Sequence, residues 1–133
     1  SKGVAKIFLG LEDYIVLGNI DGKRDWGYAP DFVEAMWLIL QQDNPDDYVI
    51  ATERSNSLRD FLTVAFGCVG ISDWEKHIKQ DEKYMRPMDV GNLIGDCTKA
   101  KKVLGWKPKV TFEEMAEKMV MNDIELLRKK VVF

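Results

Sequence analysis

The chain has 133 residues, of which 46% are hydrophobic, 11% aromatic and 31% charged, and this globular composition excludes collagen-like, low-complexity and wholly disordered proteins. Nineteen Lys and Arg against 22 Asp and Glu give a net charge of −3, so nucleic acid, which usually binds a basic face, is not an expected partner. A chain of this length can bury roughly two-thirds of its unfolded surface, so we expect residues 1–133 to form a single compact unit. The longest apolar run, Ala35–Leu40, is far shorter than the ~20 residues of a membrane span, so no membrane partner is expected.

The two cysteines, Cys68 and Cys97, lack the paired spacing of a zinc site or a disulfide framework. Such cysteines suit a reducing compartment, so we expect a cytoplasmic location and no metal. Cys68 lies near the end of an amphipathic pattern, which predicts a small core residue. Cys97 follows a predicted helix cap, where a helix dipole can lower the pKa of a thiol.

The first half of the chain predicts helices separated by short strands. Residues 1–9 have the apolar spacing of the end of a helix, and the β-branched and aromatic residues of Glu12–Leu17 predict a strand. Pro30 begins a second helix, and because Phe32–Leu40 is apolar on nearly every face, we expect that helix to lie between two layers. Tyr48–Ala51 is short and wholly apolar, which predicts a strand in a sheet covered on both faces.

The second half of the chain carries clear helix signals. Two capping boxes predict helix starts, namely Ser57 with Asp60 and Thr111 with Glu114. Asp96 is the predicted cap of a short helix between them, and the alternating residues 74–79 predict a half-buried strand. The predicted fold class is therefore α/β, rich in helix and with short scattered strands.

A complete catalytic apparatus is not encoded in this sequence. His77 is the only histidine and is predicted to be a half-exposed strand residue. Gly67 and Gly70 fall at the predicted end of a helix, where they act as stop signals rather than as a phosphate-binding loop. The sequence has no GxGxxG after a strand, no Walker motif and no Tyr-x-x-x-Lys. We therefore expect no catalytic residue in this chain.

Two arginines fall in loops rather than on a solvated helix face. Arg24 stands between a turn and the second helix, and Arg86 lies in an extended segment before a proline. Two planar guanidinium groups could hold a diphosphate, while Asp89 could accept hydrogen bonds from sugar hydroxyls. The alternative is structural ion pairing, of Arg24 with Asp25 or Asp31 and of Arg86 with Asp89 or Glu82.

Several runs of sequence together carry a family resemblance. In chain order they are Lys23–Gly27 (KRDWG), Val33–Leu38 (VEAMWL), Val49–Thr52 (VIAT), Gly95–Lys101 (GDCTKAK) and Leu104–Pro108 (LGWKP). With them the chain resembles the GDP-mannose 4,6-dehydratases, which are extended short-chain dehydrogenases/reductases. The resemblance covers nearly the whole chain but only the carboxy-terminal part of the family's length.

The resemblance implies a fragment of a lyase, namely the substrate-binding portion without most of the Rossmann lobe that binds NADP. The family converts GDP-mannose to its 4-keto-6-deoxy derivative by an internal redox cycle and loss of water, so GDP-mannose is the implied partner. The family's catalytic residues and dinucleotide-binding glycines belong to its amino-terminal portion. This chain alone is therefore expected to be inactive.

The resemblance also implies a set of substrate-binding residues. They are Gly18, Asn19, Arg24, Arg86 and Asp89. By position, Arg24 and Arg86 match the arginines that hold the GDP diphosphate, and Asp89 matches a carboxylate near the ribose. The chain departs from the family at Tyr28, where His is usual, and at Asp89, where Glu is usual. Since Asp is one methylene shorter, its ribose contact is expected to need a bridging water or to be lost.

Two other functions fit parts of the same pattern. One is a fragment of a UDP- or dTDP-sugar dehydratase or epimerase, and the other is a non-catalytic assembly module. In the family, Tyr48–Ala51 would lie against the cofactor sheet. The isolated chain is therefore expected to expose apolar residues of Val33–Leu40 and to form a homo-oligomer that covers them.

Overall fold

A computed structural model describes residues 1–85 and 92–131 of the chain. In these residues the helices and strands are, in chain order, α1 (Lys2–Phe8), β1 (Ile15–Leu17), β2 (Lys23–Asp25), α2 (Ala29–Leu40), β3 (Ser55–Ser57), α3 (Leu58–Gly67), β4 (Ile78–Gln80), α4 (Thr98–Leu104) and α5 (Phe112–Val131). Two short 3₁₀ helices, Trp74–His77 and Glu82–Tyr84, flank β4. Strand β1 pairs with β4, and β2 pairs with β3. None of the described helices is long and apolar enough to cross a membrane.

Backbone contacts divide the described residues into two compact units. The first unit contains residues 1–22, 57–85 and 116–131, and the second contains residues 23–56 and 92–115. The sequence-based expectation of a single compact unit stays a prediction.

The first unit is built on a short parallel sheet. Ile15 of β1 lies opposite Ile78 of β4, and Leu17 lies opposite Gln80. Its buried apolar side chains come mainly from α1, α3 and α5, and include Val4, Phe61, Leu62, Phe66, Val120 and Ile124. The strand predicted over residues 74–79 is correct only from Ile78 onward. Residues 74–77 form a 3₁₀ helix, because Trp74 turns inward and stacks on the ring of Phe66.

The second unit is centred on α2 and α4. Ala35 of α2 is fully buried in a cluster that also contains Ala51, Cys97, Ala100, Leu104 and Trp106. The expectation that α2 lies between two layers is wrong for this chain, because only one of its faces packs against the unit. The expectation that apolar residues of Val33–Leu40 are exposed is confirmed, since four of these side chains face solvent.

The strand predicted at Tyr48–Ala51 is absent. The segment is neither helix nor strand, although Ala51 is buried in the α2–α4 cluster. A strand requires hydrogen bonds to a neighbouring strand, and none of the described strands pairs with this segment. The burial predicted for this apolar run is therefore correct for Ala51, whereas the predicted pairing of the run with another strand is wrong.

The helix boundaries follow the capping signals closely. Ser57 Oγ accepts the backbone N–H of Asp60 at 3.1 Å, and the Asp60 carboxylate accepts the N–H of Ser57 at 2.8 Å. Thr111 and Glu114 form the same reciprocal pair at the start of α5. Asp96 accepts the N–H of Thr98, but α4 begins one residue later than predicted, with Cys97 at its N-cap. The helix-rich α/β class with a short parallel sheet is confirmed.

Candidate functional site

Arg24 lies on β2 in the second unit and is half-buried. Its Nη1 donates to the backbone carbonyl of Lys23 at 2.6 Å. The next residue, Asp25, accepts the backbone N–H and the hydroxyl of Thr52, at 3.0 and 2.6 Å, and the N–H of Glu53 at 3.1 Å. Asp25 therefore anchors the strand that carries Arg24 to the segment after Ala51.

Asp31 is the other acidic residue named above as a possible ion-pair partner of Arg24, and it too accepts hydrogen bonds from backbone N–H groups. Its carboxylate is almost fully buried and accepts the N–H groups of Lys109 and Val110, at 2.9 and 3.0 Å. Its own N–H donates to the carbonyl of Tyr28, the N-cap residue of α2. In the described part of the chain, Asp25 and Asp31 thus serve as acceptors for backbone donors.

Gly18 and Asn19 follow β1 in the first unit. A Cβ at Gly18 would lie 2.2 Å from the carbonyl oxygen of Tyr84, so this close approach of two backbones admits only glycine. The Gly18 carbonyl accepts Nε2 of Gln80 at 3.0 Å, and Asn19 Oδ1 accepts the N–H of Asp21 at 2.9 Å. The turn therefore packs against the residue that stands two positions before Arg86 in the sequence.

Arg86 and Asp89 lie outside the described residues. Among the others, Gly18 and Asn19 belong to the first unit and Arg24 to the second. Gly18 and Asn19 lie in a tight turn, and Arg24 is a half-buried residue on an anchored strand. The five-residue substrate site as a whole stays a prediction.

An aromatic corner beside Arg24 was not anticipated from the sequence. Trp26 donates its indole N–H to the carbonyl of Asn56 at 2.9 Å and meets Phe112 edge-to-face, with ring centroids 6.1 Å apart. Together with Arg54 and Lys109, these rings line an open cavity of about 140 Å³. The run RDWG contains Trp26, but its aromatic partner Phe112 lies 86 positions further along the chain, so no local pattern predicts their contact.

Glu53 organises a second polar cluster that sequence reasoning missed. Its backbone has φ = +60°, the left-handed region that non-glycine residues rarely adopt. Its carboxylate accepts the backbone N–H of Cys97 at 3.2 Å and the thiol at 3.4 Å, and forms an ion pair with Lys101. The hydrogen bond from Lys101, followed by those from Cys97, lowers the pKa of Glu53.

The two cysteine expectations are wrong. Burial, followed by the hydrogen bond to Glu53, raises the pKa of the Cys97 thiol, so the pKa of this thiol is not lowered as its place at a helix start suggested. Cys68 is exposed rather than a core residue, because it follows α3 on a turn where its thiol donates to the carbonyl of Ala65. Neither thiol has the low pKa of an activated nucleophile.

His77 and the remaining glycines show no catalytic arrangement in the described residues. His77 is half-buried, stacks on Phe66 at 5.8 Å, and its Nδ1 lies 2.8 Å from the carbonyl of Asp13. Gly67 is the last residue of α3 and Gly70 stands three positions after it, so neither precedes a helix as a glycine that binds a dinucleotide phosphate does. Within the described ranges, no group of three or more His, Cys, Asp and Glu is placed to hold a metal ion.

Comparison with protein families gives a match over most of the chain. A family model described as GDP-mannose 4,6 dehydratase matches residues 1–119. The GDP-mannose 4,6 dehydratase 1 of Arabidopsis thaliana is 51% identical over 99% of this chain and 36% of its own length. The GDP-mannose 4,6 dehydratase of Homo sapiens is 47% identical over 96% of this chain and 39% of its own length. The chain thus spans little more than a third of the relatives it matches.

Two solved structures illustrate which known folds this chain is similar to. RMD from Pseudomonas aeruginosa, complexed with NADPH, superposes with a TM-score of 0.82 at 20% identity, over 94% of this chain and 41% of that one. UDP-glucose 4-epimerase from Thermotoga maritima, with UDP-glucose, gives a TM-score of 0.68 at 30% identity, over 97% of this chain and 38% of that one. The likeness to RMD, at this low identity, shows the fold alone.

Proposed function

The chain belongs to the GDP-mannose 4,6-dehydratase family, and we propose that it supplies the carboxy-terminal, nucleotide-sugar-binding part of such an enzyme. One observation carries the proposal. The family match over residues 1–119 includes every position that the resemblance implies for substrate binding, namely Gly18, Asn19, Arg24, Arg86 and Asp89. Relatives that are 38–51% identical to this chain carry the name GDP-mannose 4,6-dehydratase, which supports GDP-mannose as the substrate.

In this proposal Arg24 binds the diphosphate of the GDP moiety together with Arg86. The strand that carries Arg24 is held in place by the hydrogen bonds that the backbone N–H groups of Thr52 and Glu53 donate to Asp25, which supports a fixed position for Arg24. A planar, fixed fork is the group best matched to two phosphate oxygens. Asp89 is proposed to lie near the ribose, and the Gly18–Asn19 turn to line the same groove.

The whole enzyme is proposed to convert GDP-mannose to GDP-4-keto-6-deoxymannose with NADP. The family and the NADPH complex of RMD support that cofactor. The glycines of the described residues do not fit a dinucleotide, so no step through the cofactor is assigned to this chain. We expect the 133-residue chain to convert no GDP-mannose when NADP is added, which a product assay by chromatography tests.

Three further proposals concern the location of the protein, its oligomeric state and an alternative substrate class. A cytoplasmic location is supported by the two free cysteines, since a reducing compartment keeps thiols unpaired. A homo-oligomer is supported by the exposed apolar face of α2. The alternative substrate class, a UDP-sugar, is supported by the epimerase structure that contains UDP-glucose.

Calorimetric titration of the chain with GDP, UDP and dTDP tests the substrate class. We expect GDP to bind most tightly. Arg24→Ala should weaken GDP binding at least tenfold, because a charge-assisted hydrogen bond contributes about 1.5–3 kcal/mol. Lys23→Ala is the matched control, since it removes one positive charge from an exposed position on the same strand, and it should change the affinity less than threefold.

The other outcomes separate the alternatives. Tighter binding of UDP or dTDP than of GDP would overturn the choice of base. Equal losses of GDP affinity in Arg24→Ala and Lys23→Ala would show that Arg24 contributes only its positive charge. If the chain unfolds cooperatively on heating, and is therefore folded, but binds no nucleotide, the result would favour the non-catalytic assembly module instead.

A further inference from the structure

We propose that Glu53 is a positioning residue for Arg24, and that it holds the strand of Arg24 in place by linking that strand to helix α4. The proposal rests on the role in diphosphate binding that is proposed above for Arg24. Both residues belong to the second unit. The side chain of Glu53 contacts α4 and its backbone contacts β2, so one residue joins the two elements.

The side chain of Glu53 is bound to the start of α4. Its carboxylate accepts the backbone N–H of Cys97, the N-cap residue of α4, at 3.2 Å, and forms an ion pair with Lys101 of the same helix. Cys97 is fully buried in the cluster that contains Ala35. The Glu53 carboxylate is therefore attached to the buried core of the unit as well as to a lysine at its surface.

The backbone of Glu53 provides the other end of the link. Two successive N–H groups, those of Thr52 and Glu53, donate to the carboxylate of Asp25, at 3.0 and 3.1 Å. Successive N–H groups converge on one anion where the backbone turns into the left-handed region, and Glu53 has φ = +60°. That conformation is unfavourable for a residue with a Cβ, so it persists where surrounding contacts fix it. The bonds between the Glu53 carboxylate and α4 provide such contacts.

Asp25 transmits this constraint to Arg24, because the two residues are adjacent on β2. The segment of Glu53 also continues into β3, which begins at Ser55 and pairs with β2. The strand that carries Arg24 is thus bonded to this segment twice, by strand pairing and through the Asp25 carboxylate. Loss of the Glu53 carboxylate would leave the turn without its support and allow Arg24 to move from the position at which it binds a diphosphate.

The variant that tests the link is Glu53→Gly. Glycine adopts φ = +60° readily, so the chain can still fold through this turn, but the bonds to Cys97 and Lys101 are lost. Glu34→Gln is the matched control, since it also removes one negative charge and an ion pair with a lysine of the same unit, Lys109. Circular dichroism is used to confirm that both variants keep their helix content.

Calorimetric titration of the 133-residue chain with GDP measures the effect on binding. Glu53→Gly should weaken GDP binding about fivefold, whereas Glu34→Gln should change it by less than about twofold. The direction is informative, because removal of a negative charge by itself would strengthen the binding of an anion. Glu53→Gln should regain part of the affinity, because its side-chain carbonyl can still accept the N–H of Cys97.

A double variant separates positioning from a general structural role. In an Arg24→Ala background, Glu53→Gly should weaken GDP binding by less than about a further twofold, because a positioning residue acts only through the residue that it positions. A loss of affinity that is equal with and without Arg24 would overturn the proposal. An unchanged affinity in Glu53→Gly, in a chain that Arg24→Ala does weaken, would overturn it while leaving the proposed function of Arg24 intact.

A second readout does not depend on nucleotide binding. The ¹⁵N heteronuclear NOE of the Arg24 backbone amide should fall in Glu53→Gly and keep its wild-type value in Glu34→Gln. An NOE that is unchanged in Glu53→Gly would overturn the positioning role. An NOE that falls in a chain that binds no GDP would support the link from Glu53 to Arg24 and contradict the proposed function of Arg24.

Discussion

The carboxylate of Asp31 accepts the backbone N–H of Lys109, a residue 78 positions further along the chain, at 2.9 Å. The same oxygen accepts the N–H of Val110, and the Asp31 carbonyl accepts the indole N–H of Trp106 at 2.8 Å. One residue in the first turn of α2 thereby fixes the segment that leads from α4 to α5. This role explains why an acidic residue is almost fully buried.

Asp31→Ala should lower the free energy of unfolding by about 2–4 kcal/mol, because two backbone donors lose a charged acceptor inside the unit. Urea denaturation followed by circular dichroism measures the change. Asp43→Ala, at an exposed loop position, should stay within about 0.5 kcal/mol of the wild-type chain. Equal losses in the two variants would show that the buried hydrogen bonds of Asp31 contribute nothing specific.

Gly18→Ala should destabilise the first unit, because the added Cβ would lie 2.2 Å from the Tyr84 carbonyl and force the two backbones apart. Overpacking of this kind typically costs about 1–3 kcal/mol, and thermal unfolding measures it. Gly67→Ala is the matched control, since a Cβ there meets nothing within 4 Å and α3 gains a better helix former. A harmless Gly18→Ala would contradict the close approach.

The pair of Glu53 and Lys101 predicts a dependence of stability on pH. The folded chain holds the pKa of Glu53 below its ordinary value of 4.5, chiefly through the hydrogen bond from Lys101. The stability from this group is therefore fully present above pH 4.5 and is lost as the pH falls through the lower folded value.

Glu53→Gln keeps the backbone strain and removes the charge, so its Tm should be lower than that of the wild-type chain at pH 7. The difference should shrink as the pH falls towards 3. Glu75→Gln, at an exposed position, should change the Tm little at either pH. A Tm difference for Glu53→Gln that is the same at both pH values would contradict the prediction.

Local features of the chain were predictable where the interaction spans only a few residues. The capping boxes at Ser57 and Thr111 need only residues three positions apart, and both are present. The left-handed Gly105 ends α4 as its sequence position indicates. Strands were less predictable, because Tyr48–Ala51 has the right composition but no neighbouring strand among those described.

The sequence by itself determined the starts of the α-helices to within about one residue, the α/β class and the family, because capping, helical periodicity and ordered motifs are properties of residues close together in the chain. Only the tertiary structure decided that Asp31 accepts the backbone N–H of Lys109, that Cys97 is buried beside Glu53, and that one apolar side of α2 stays exposed. Those outcomes depend on which distant segments meet, and burial, charge pairing and pKa follow from that meeting rather than from the residue type.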